Sequence, residues 1–488
     1  MNPVLSSLAA IAPAVVVFIV AMGVMMLEAI HRPPTKTGLW GASIAALLVA
    51  MGMSATHLGG HDSVLAFSGM LKVDAYGAFF NVVACLSGLL AVAMSDEYLE
   101  RIGVRVGEYY ALVLFGVFGM MLMGLANDLM MVFVSLEVMS ISMYILAAIK
   151  RADPKSVESG FKYFILGAFS SGLMLYGIAM TYGAFHTTDL GAIATALHGE
   201  LGGTESKLAA IGGALILTGF GFKVASAPFH LWTPDVYQGA PTSVTSLMSS
   251  GVKAASFAAF LRFVVTVSGD HGAFTNALWA MSALTMVVGN VGALVQTDLK
   301  RMLAYSSIAH AGYLLMALVA VGGVGAEAGG GVLFYALAYT LMNAGTWAVL
   351  SLFTKDGNDD TALSSLAGLG KSQPWLAAGL AVCLLSLAGI PPTIGFVGKF
   401  YLFASVIQSG HVGLAVVGAL GAAAGVYYYL RPLVVMYMHE GHAHAAPGRW
   451  ATFTLGVCTA LVLLLGLVPG PVLGLATESV KALVASAH

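Results

Sequence analysis

Phe220-Gly-Phe-Lys223-Val-Ala-Ser-Ala-Pro228-Phe-His230-Leu-Trp232 puts a lysine, a proline and a histidine inside an otherwise apolar stretch, 207 to 238, that is too long for one straight crossing of a bilayer. Proline breaks a helix, and in hydrocarbon the backbone groups it frees must be met by water or polar side chains. A second interruption, Gly389-Ile-Pro391-Pro392-Thr-Ile-Gly395, lies in the long segment 374 to 408. Pro228 and Pro391 stand 163 residues apart, and the apolar spans starting near 109 and 274 stand 165 apart. This common offset marks an internal repeat of five helices. Five is odd, so the second unit lies upside down relative to the first, the arrangement in which paired broken helices mark a transport site.

Outward from these two breaks, the whole chain reads as membrane-embedded. It has 488 residues, 59% of them hydrophobic and only 9% charged, with a mean hydropathy of +0.89, a balance foreign to soluble domains. Apolar windows predict helices near 8–30, 38–56, 76–94, 109–126, 129–149, 159–184, 207–238, 242–268, 274–295, 302–322, 329–353, 374–408, 411–437 and 450–472. The expected fold is therefore an all-α integral membrane protein of about fourteen transmembrane helices, with two inverted five-helix repeats and broken helices 7 and 12. Its expected divisions are an N-terminal three-helix segment (1–107), a first repeat (108–268), a second, inverted repeat (269–437), and a loop, helix 14 and C-terminal tail (438–488).

Arg32, Lys36, Arg101, Arg105, Lys150, Arg151, Lys155, Lys300, Arg301, Lys355, Lys371 and Arg449 fall in odd-numbered loops, against Lys72 and Lys207 in even ones. The positive-inside rule puts the odd loops in the cytoplasm and both termini outside. The first span, with no basic residue before it and no small-residue cleavage site after it, is expected to be retained.

Charges buried in such spans need a reason, since one at the bilayer centre costs about 2.5 to 3.5 kcal/mol. Glu137, Lys223, Lys253 and Lys399 lie deep in their spans, with His230 and His310 beside them. At 1.5 Å per residue Lys253 is ~16 Å from the cytoplasmic end of its helix and Lys399 ~14 Å from the outer end of its own. An ammonium held in a low-dielectric interior can exchange its proton near neutral pH, which a guanidinium cannot. The deep lysines outnumber the deep carboxylates, so they read as a proton relay rather than as ion-pair members, with Glu137 the carboxylate able to hold or release a lysine's proton. Lys162, within a turn of its predicted span's end, is a weaker candidate that snorkelling also explains. Arg262 and Arg431, near helix ends, read as structural.

Other features point to no further chemistry. A net charge of −2 without a basic run argues against nucleic acid as a partner. Cys85, Cys383 and Cys458 are isolated, with no spacing for a cluster or zinc. Gly368-Leu-Gly370-Lys371-Ser372 lacks the leading glycine and strand of a phosphate loop. His439, Glu440, His442 and His444 form a short loop tract from which no functional metal site is expected, and Gly322 to Gly331 reads as a flexible linker between spans.

The residues also carry a family resemblance. The run from Phe220 to Pro241, ending Trp232-Thr-Pro234-Asp235-Val-Tyr237-Gln-Gly-Ala-Pro241, resembles the seventh-helix signature of the subunit N family of NADH-quinone oxidoreductase, respiratory complex I. Lys300-Arg301-Met-Leu-Ala-Tyr305-Ser-Ser-Ile-Ala-His310-Ala-Gly-Tyr313 is similar to the start of the tenth helix in its antiporter-like relatives, and Gly389 to Phe400 to their broken twelfth helix. The resemblance implies that Glu137 and Lys223 form a modulating pair, Lys253 the central relay and Lys399 the terminal group, with His230 and His310 bridging through water. It implies proton transfer coupled to NADH oxidation and quinone reduction, in a bacterial inner membrane. NADH, FMN, iron-sulfur clusters and quinone would sit on other subunits, with no cofactor on this chain. The partners implied are other complex I membrane subunits, especially neighbouring antiporter-like and small ones, with lipid and protons. The alternative is an Mrp-type cation/proton antiporter subunit, whose fold and lysines are similar; the Tyr237 to Pro241 ending and the Gly395-Phe-Val-Gly-Lys399-Phe run favour subunit N.

Overall fold

Backbone amides and carbonyls find no water in hydrocarbon, so a chain this apolar must satisfy them within helices. The computed structural model, which describes residues 3–60, 63–199, 201–268 and 272–485, does so. Among the described residues twelve helices are long and apolar enough to cross a membrane. They are Ala12–His31, Thr37–Ala55, Ala75–Ala93, Glu108–Leu125, Leu129–Ala147, Pro154–Phe185, Thr242–Val267, Gly272–Leu294, Leu299–Val324, Ala326–Leu350, Val412–Met438 and Arg449–Leu467. The other two expected crossings are the interrupted ones. Span 7 is Gly203–Lys223 followed, after a break, by Trp232–Gly239, and span 12 is Pro374–Ala388 followed by Ile394–Gln408.

The chain alternates faces as an unbroken count of crossings demands. On one face the odd loops meet: Lys150 Nζ donates to Gly357 O (2.7 Å) and Asn358 Oδ1 (2.5 Å), and Arg101 Nη1 to Pro447 O (2.9 Å). On the other the even loops meet, Asn127 N donating to Met70 O (2.9 Å) and Leu129 N to Thr188 O (2.8 Å). A small hairpin caps each face, Val64–Ala66 with Leu71–Val73 and Thr354–Lys355 with Asn358–Asp359.

Small residues let the spans approach closely, as helix packing in lipid requires. A Cβ on Gly289 would lie 2.4 Å from Ala309 N, and one on Gly177 2.9 Å from Gly212 O. The span Ala326–Leu350 is enclosed over 94% of its core window, against 33% for the first two spans. Large apolar side chains such as Phe169 and Leu420 point outward from the bundle.

Three expectations change. Gly322 to Gly331 is no flexible linker: apart from a turn at Gly325 it is helical, and Gly329 to Gly331 are buried in Ala326–Leu350. Their missing side chains admit a neighbour, since Cβ atoms on Gly329 and Gly330 would meet Val480 and Thr477 at 2.5 and 2.6 Å. That neighbour is the second change, because the expected tail folds as a helix, Gly470–Ala485, after the shorter span Arg449–Leu467. The third is Lys162, which lies two turns inside its span rather than within the first, because the helix begins at Pro154, capped by Asp153. The expected division after residue 268 falls at 269–271, outside the described residues.

Arg262 is fully buried and holds Asp74 through two bonds, Nη1 to Oδ2 at 2.8 Å and Nη2 to Oδ1 at 2.9 Å. Asp74 also caps the third span through Gly77 N. The pair ties the eighth span to the third and takes no part in the site below.

Candidate functional site

The break in span 7 begins at Lys223 itself. Its freed carbonyls are met locally, Phe222 O by Trp232 Nε1 (3.1 Å) and Gly221 O by Ser226 N (2.8 Å), while Ala227 N donates to Thr285 Oγ1 (2.9 Å). The ammonium is therefore not used as a helix cap. It donates to Ser140 Oγ (2.6 Å) and Tyr144 OH (3.2 Å), and lies 5.3 and 5.6 Å from the ring centres of Tyr144 and Tyr163.

Glu137, Ser140 and Tyr144 follow one another at helical spacing along Leu129–Ala147, so all three share a face. Glu137 is half-buried, and its Oε1 has no hydrogen-bond partner. It makes no ion pair with Lys223 within 4.0 Å; the hydroxyls of Ser140 and Tyr144 occupy the ammonium instead. His230, half-buried beyond the break, has an unpartnered Nδ1 and no hydrogen bond to Lys223 or Lys253.

Lys253 follows a π-helical turn, Met248–Val252, a local widening that recurs at functional positions. Its ammonium donates to both the carbonyl and the hydroxyl of Ser307, the latter at 2.5 Å, and lies 5.6 Å from the centre of the Tyr339 ring. One turn on, His310 joins two phenols, Tyr335 OH at 2.6 Å from Nδ1 and Tyr429 OH at 2.9 Å from Nε2. Tyr429 also bonds Ser306. His310 also packs against the rings of Tyr339 (4.8 Å between centres) and Tyr313 (5.8 Å), which face Lys253 and Lys399 respectively.

Lys399 closes the series. Its ammonium donates to Leu387 O (2.8 Å) and Ala388 O (3.1 Å), the carbonyls orphaned where span 12 breaks, and lies 5.2 Å from the centre of the Tyr313 ring. Of the expected residues the structure sets Glu137 and Lys223 on facing helices, and places His310 beside the rings of Tyr339 and Tyr313, against which Lys253 and Lys399 lie, with no hydrogen bond from the imidazole to either lysine. Lys162 stands apart: its half-exposed side chain pairs with Glu158 (2.7 Å) and Asp235 (2.8 Å).

Lys223, Lys253 and Lys399 are 3%, 2% and 7% exposed, and none lies within 4.0 Å of a carboxylate among the described residues. A buried charge without a counter-ion costs several kcal/mol, and here hydroxyls and carbonyls rather than carboxylates meet each ammonium. Sequence reasoning missed the hydroxyls between them: Ser140, Tyr144, Ser307, Tyr335 and Tyr429. Tyrosine in a membrane chain also marks interfaces, which hides its buried members. The i, i+3, i+7 spacing of Glu137, Ser140 and Tyr144 was the available signal.

Residues 126–425 match the family described as NADH:quinone oxidoreductase/Mrp antiporter, TM. NADH-quinone oxidoreductase subunit N of Trichlorobacter lovleyi is 44% identical over 478 residues, covering 96% of each chain. A chain of respiratory complex I from Thermus thermophilus superposes with a TM-score of 0.81 at 35% identity, over 95% of this chain and 99% of that one. A chain of the Mrp complex from a Dietzia species shares the fold, with a TM-score of 0.83 at 20% identity over 98% of both.

Proposed function

The chain belongs to the subunit N family of NADH-quinone oxidoreductases, as a proton-translocating, multi-pass membrane subunit of that enzyme complex, and from this premise we propose that its protons travel through Lys223, Lys253, His310 and Lys399, with Glu137 modulating the first. The observation that carries the reading is the set of three buried lysines with no carboxylate within 4.0 Å among the described residues, two of them packed against the rings, Tyr339 and Tyr313, that also flank His310. An imidazole can take a proton at one nitrogen and release one from the other, and a hydroxyl can accept a proton on its oxygen while giving up the one it carries. Glu137 acts through its field: when its charge is near, Lys223 keeps its proton, and when that influence is withdrawn the proton moves inward toward Lys253. His230 joins as a side branch through water at its Nδ1. Lys162 has two acids of its own and no part in the path.

The two five-helix units, 108–268 and 269–437, are read as inverted halves, each contributing one broken helix. The excess of Lys and Arg in the odd loops supports a cytoplasmic position for that face in a bacterial inner membrane, with both termini outside. The other subunits of the complex are partners of this chain; neighbouring antiporter-like and small membrane subunits, lipid on the apolar exterior, and protons are the specific ones assigned here. NADH, FMN, iron-sulfur clusters and quinone are assigned to other subunits. Proton uptake by inverted vesicles carrying Lys253 variants, normalised to assembled complex, is the test.

A further inference from the structure

A cavity of about 310 Å³ opens on the face of the odd loops, lined among others by Tyr98, Lys150, Asp153, Gln238, Pro241 and Asp359. Tyr98 and Asp359 reach the interior together: Tyr98 is fully buried and its hydroxyl accepts from Thr242 N at 2.7 Å. Asp359 Oδ2 accepts from Lys300 Nζ at 2.9 Å and from Thr242 Oγ1 at 2.8 Å, and its Oδ1 from Tyr98 OH at 2.9 Å. Lys300 is 1% exposed and also donates to Ala240 O at 2.5 Å, at the start of the eighth span.

From Thr242 a line of hydroxyls runs down that span to the central lysine. Thr242, Thr245, Ser246, Ser249 and Ser250 are all buried, and with Lys253 they fall at i, i+3, i+4, i+7, i+8 and i+11, one face of a helix. The stripe covers ~16 Å, at 1.5 Å per residue. In the resting arrangement Thr242 Oγ1 donates to Asp359, Thr245 Oγ1 to the carbonyls of Ala240 and Pro241, and Ser249 and Ser250 to Ser246 O; each hydroxyl keeps lone pairs with which it can also accept a proton.

We propose that this cavity is the aqueous mouth through which the relay is loaded, with the Asp359–Lys300 ion pair as its gate and the hydroxyl stripe of the eighth span as its conductor to Lys253. The proposal rests on the relay reading given above. A hydronium in the cavity gives its proton to the Asp359 carboxylate, leaving water, and the ion pair opens. The carboxyl passes its proton to the Thr242 hydroxyl, which releases its own inward; the hops end in a new N–H bond on a neutral Lys253 amine. Asp359 is then anionic again and closes on Lys300. No oxidant or reductant takes part.

The test uses assembled complex in inverted vesicles, with the odd-loop face outward. Asp359→Asn should lower proton uptake per quinone reduced by about tenfold or more. Asp359→Glu should retain most of it, and formate should restore uptake to Asp359→Ala by acting as a diffusible carboxylate in the cavity. A double Thr242→Val, Ser249→Ala variant, which keeps the ion pair, should also pump poorly while assembling. Full uptake in Asp359→Asn or in the double variant overturns the proposal, as does a loss of uptake both in Asp359→Glu and in Asp359→Ala supplied with formate. Lys253→Ala run alongside separates the readings: if it pumps fully the relay itself falls, whereas its failure beside a fully active Asp359→Asn removes only the mouth.

Discussion

Lys399 donates to the carbonyl of Leu387 at 2.8 Å, so the ammonium proposed to end the proton path also caps the half-helix Pro374–Ala388. A helix C-terminus carries partial negative charge on just these unpaired carbonyls. One side chain therefore serves both the fold and the chemistry, and substitutions can separate the two.

Arginine at 399 keeps a cationic cap but holds its proton at every accessible pH. Lys399→Arg is expected to preserve the thermal stability of the detergent-solubilised complex, whereas Lys399→Ala, which leaves the Leu387 and Ala388 carbonyls without a donor, lowers it by about 1 to 3 kcal/mol. Both should pump poorly. Thermal unfolding beside proton uptake reads the split.

The phenol of Tyr429 bonds both His310 and Ser306, the latter next to Ser307, which holds Lys253. Tyr429→Phe keeps the ring and removes the one exchangeable proton. Uptake should fall roughly three- to tenfold, the equivalent of about one hydrogen bond, with assembly unchanged on native gels.

Asp74 and Arg262 are a different kind of buried charge. Breaking a buried pair by removing one partner costs about 3 to 5 kcal/mol, so Asp74→Asn and Arg262→Ala should reduce the amount of assembled complex. What does assemble should pump at the normal rate per molecule, as quantified by immunoblot and uptake on the same vesicles.

Gly330 lies against Thr477 of the C-terminal helix, where a Cβ would come within 2.6 Å of its hydroxyl oxygen. Gly330→Leu should therefore dislodge Gly470–Ala485 and expose it to protease in vesicles, while Gly456→Ala, at a position with nothing within 4 Å, should change nothing.

The lysines and the two proline breaks were legible in the sequence because lipid makes charge and broken helix expensive, and the expense leaves a mark against a plain apolar background. Residues whose role depends on a distant partner left none. Nothing near Asp74 announces Arg262, 188 residues away. Gly322 to Gly331 read as a linker because glycine serves flexible loops and tight helix contacts equally, and only the neighbouring helix decides which. The acids that hold Lys162 were partly visible, Glu158 standing four residues before it, while Asp235 came from the far side of the span 7 break. The hydroxyl stripe above Lys253 was readable at helical spacing, but serine and threonine also fill ordinary helix contacts in membranes.

The central claim is that Lys253 passes protons, and the measurement that reaches it is uptake into inverted vesicles, normalised to assembled complex and run beside NADH-quinone turnover, for Lys253→Ala and Lys253→Arg. Alanine removes the exchanging amine and arginine keeps the charge without the exchange, so the account predicts that both assemble and that uptake collapses in both. Full uptake by the two assembled variants would contradict it and leave Lys253 a structural residue anchored to Ser307.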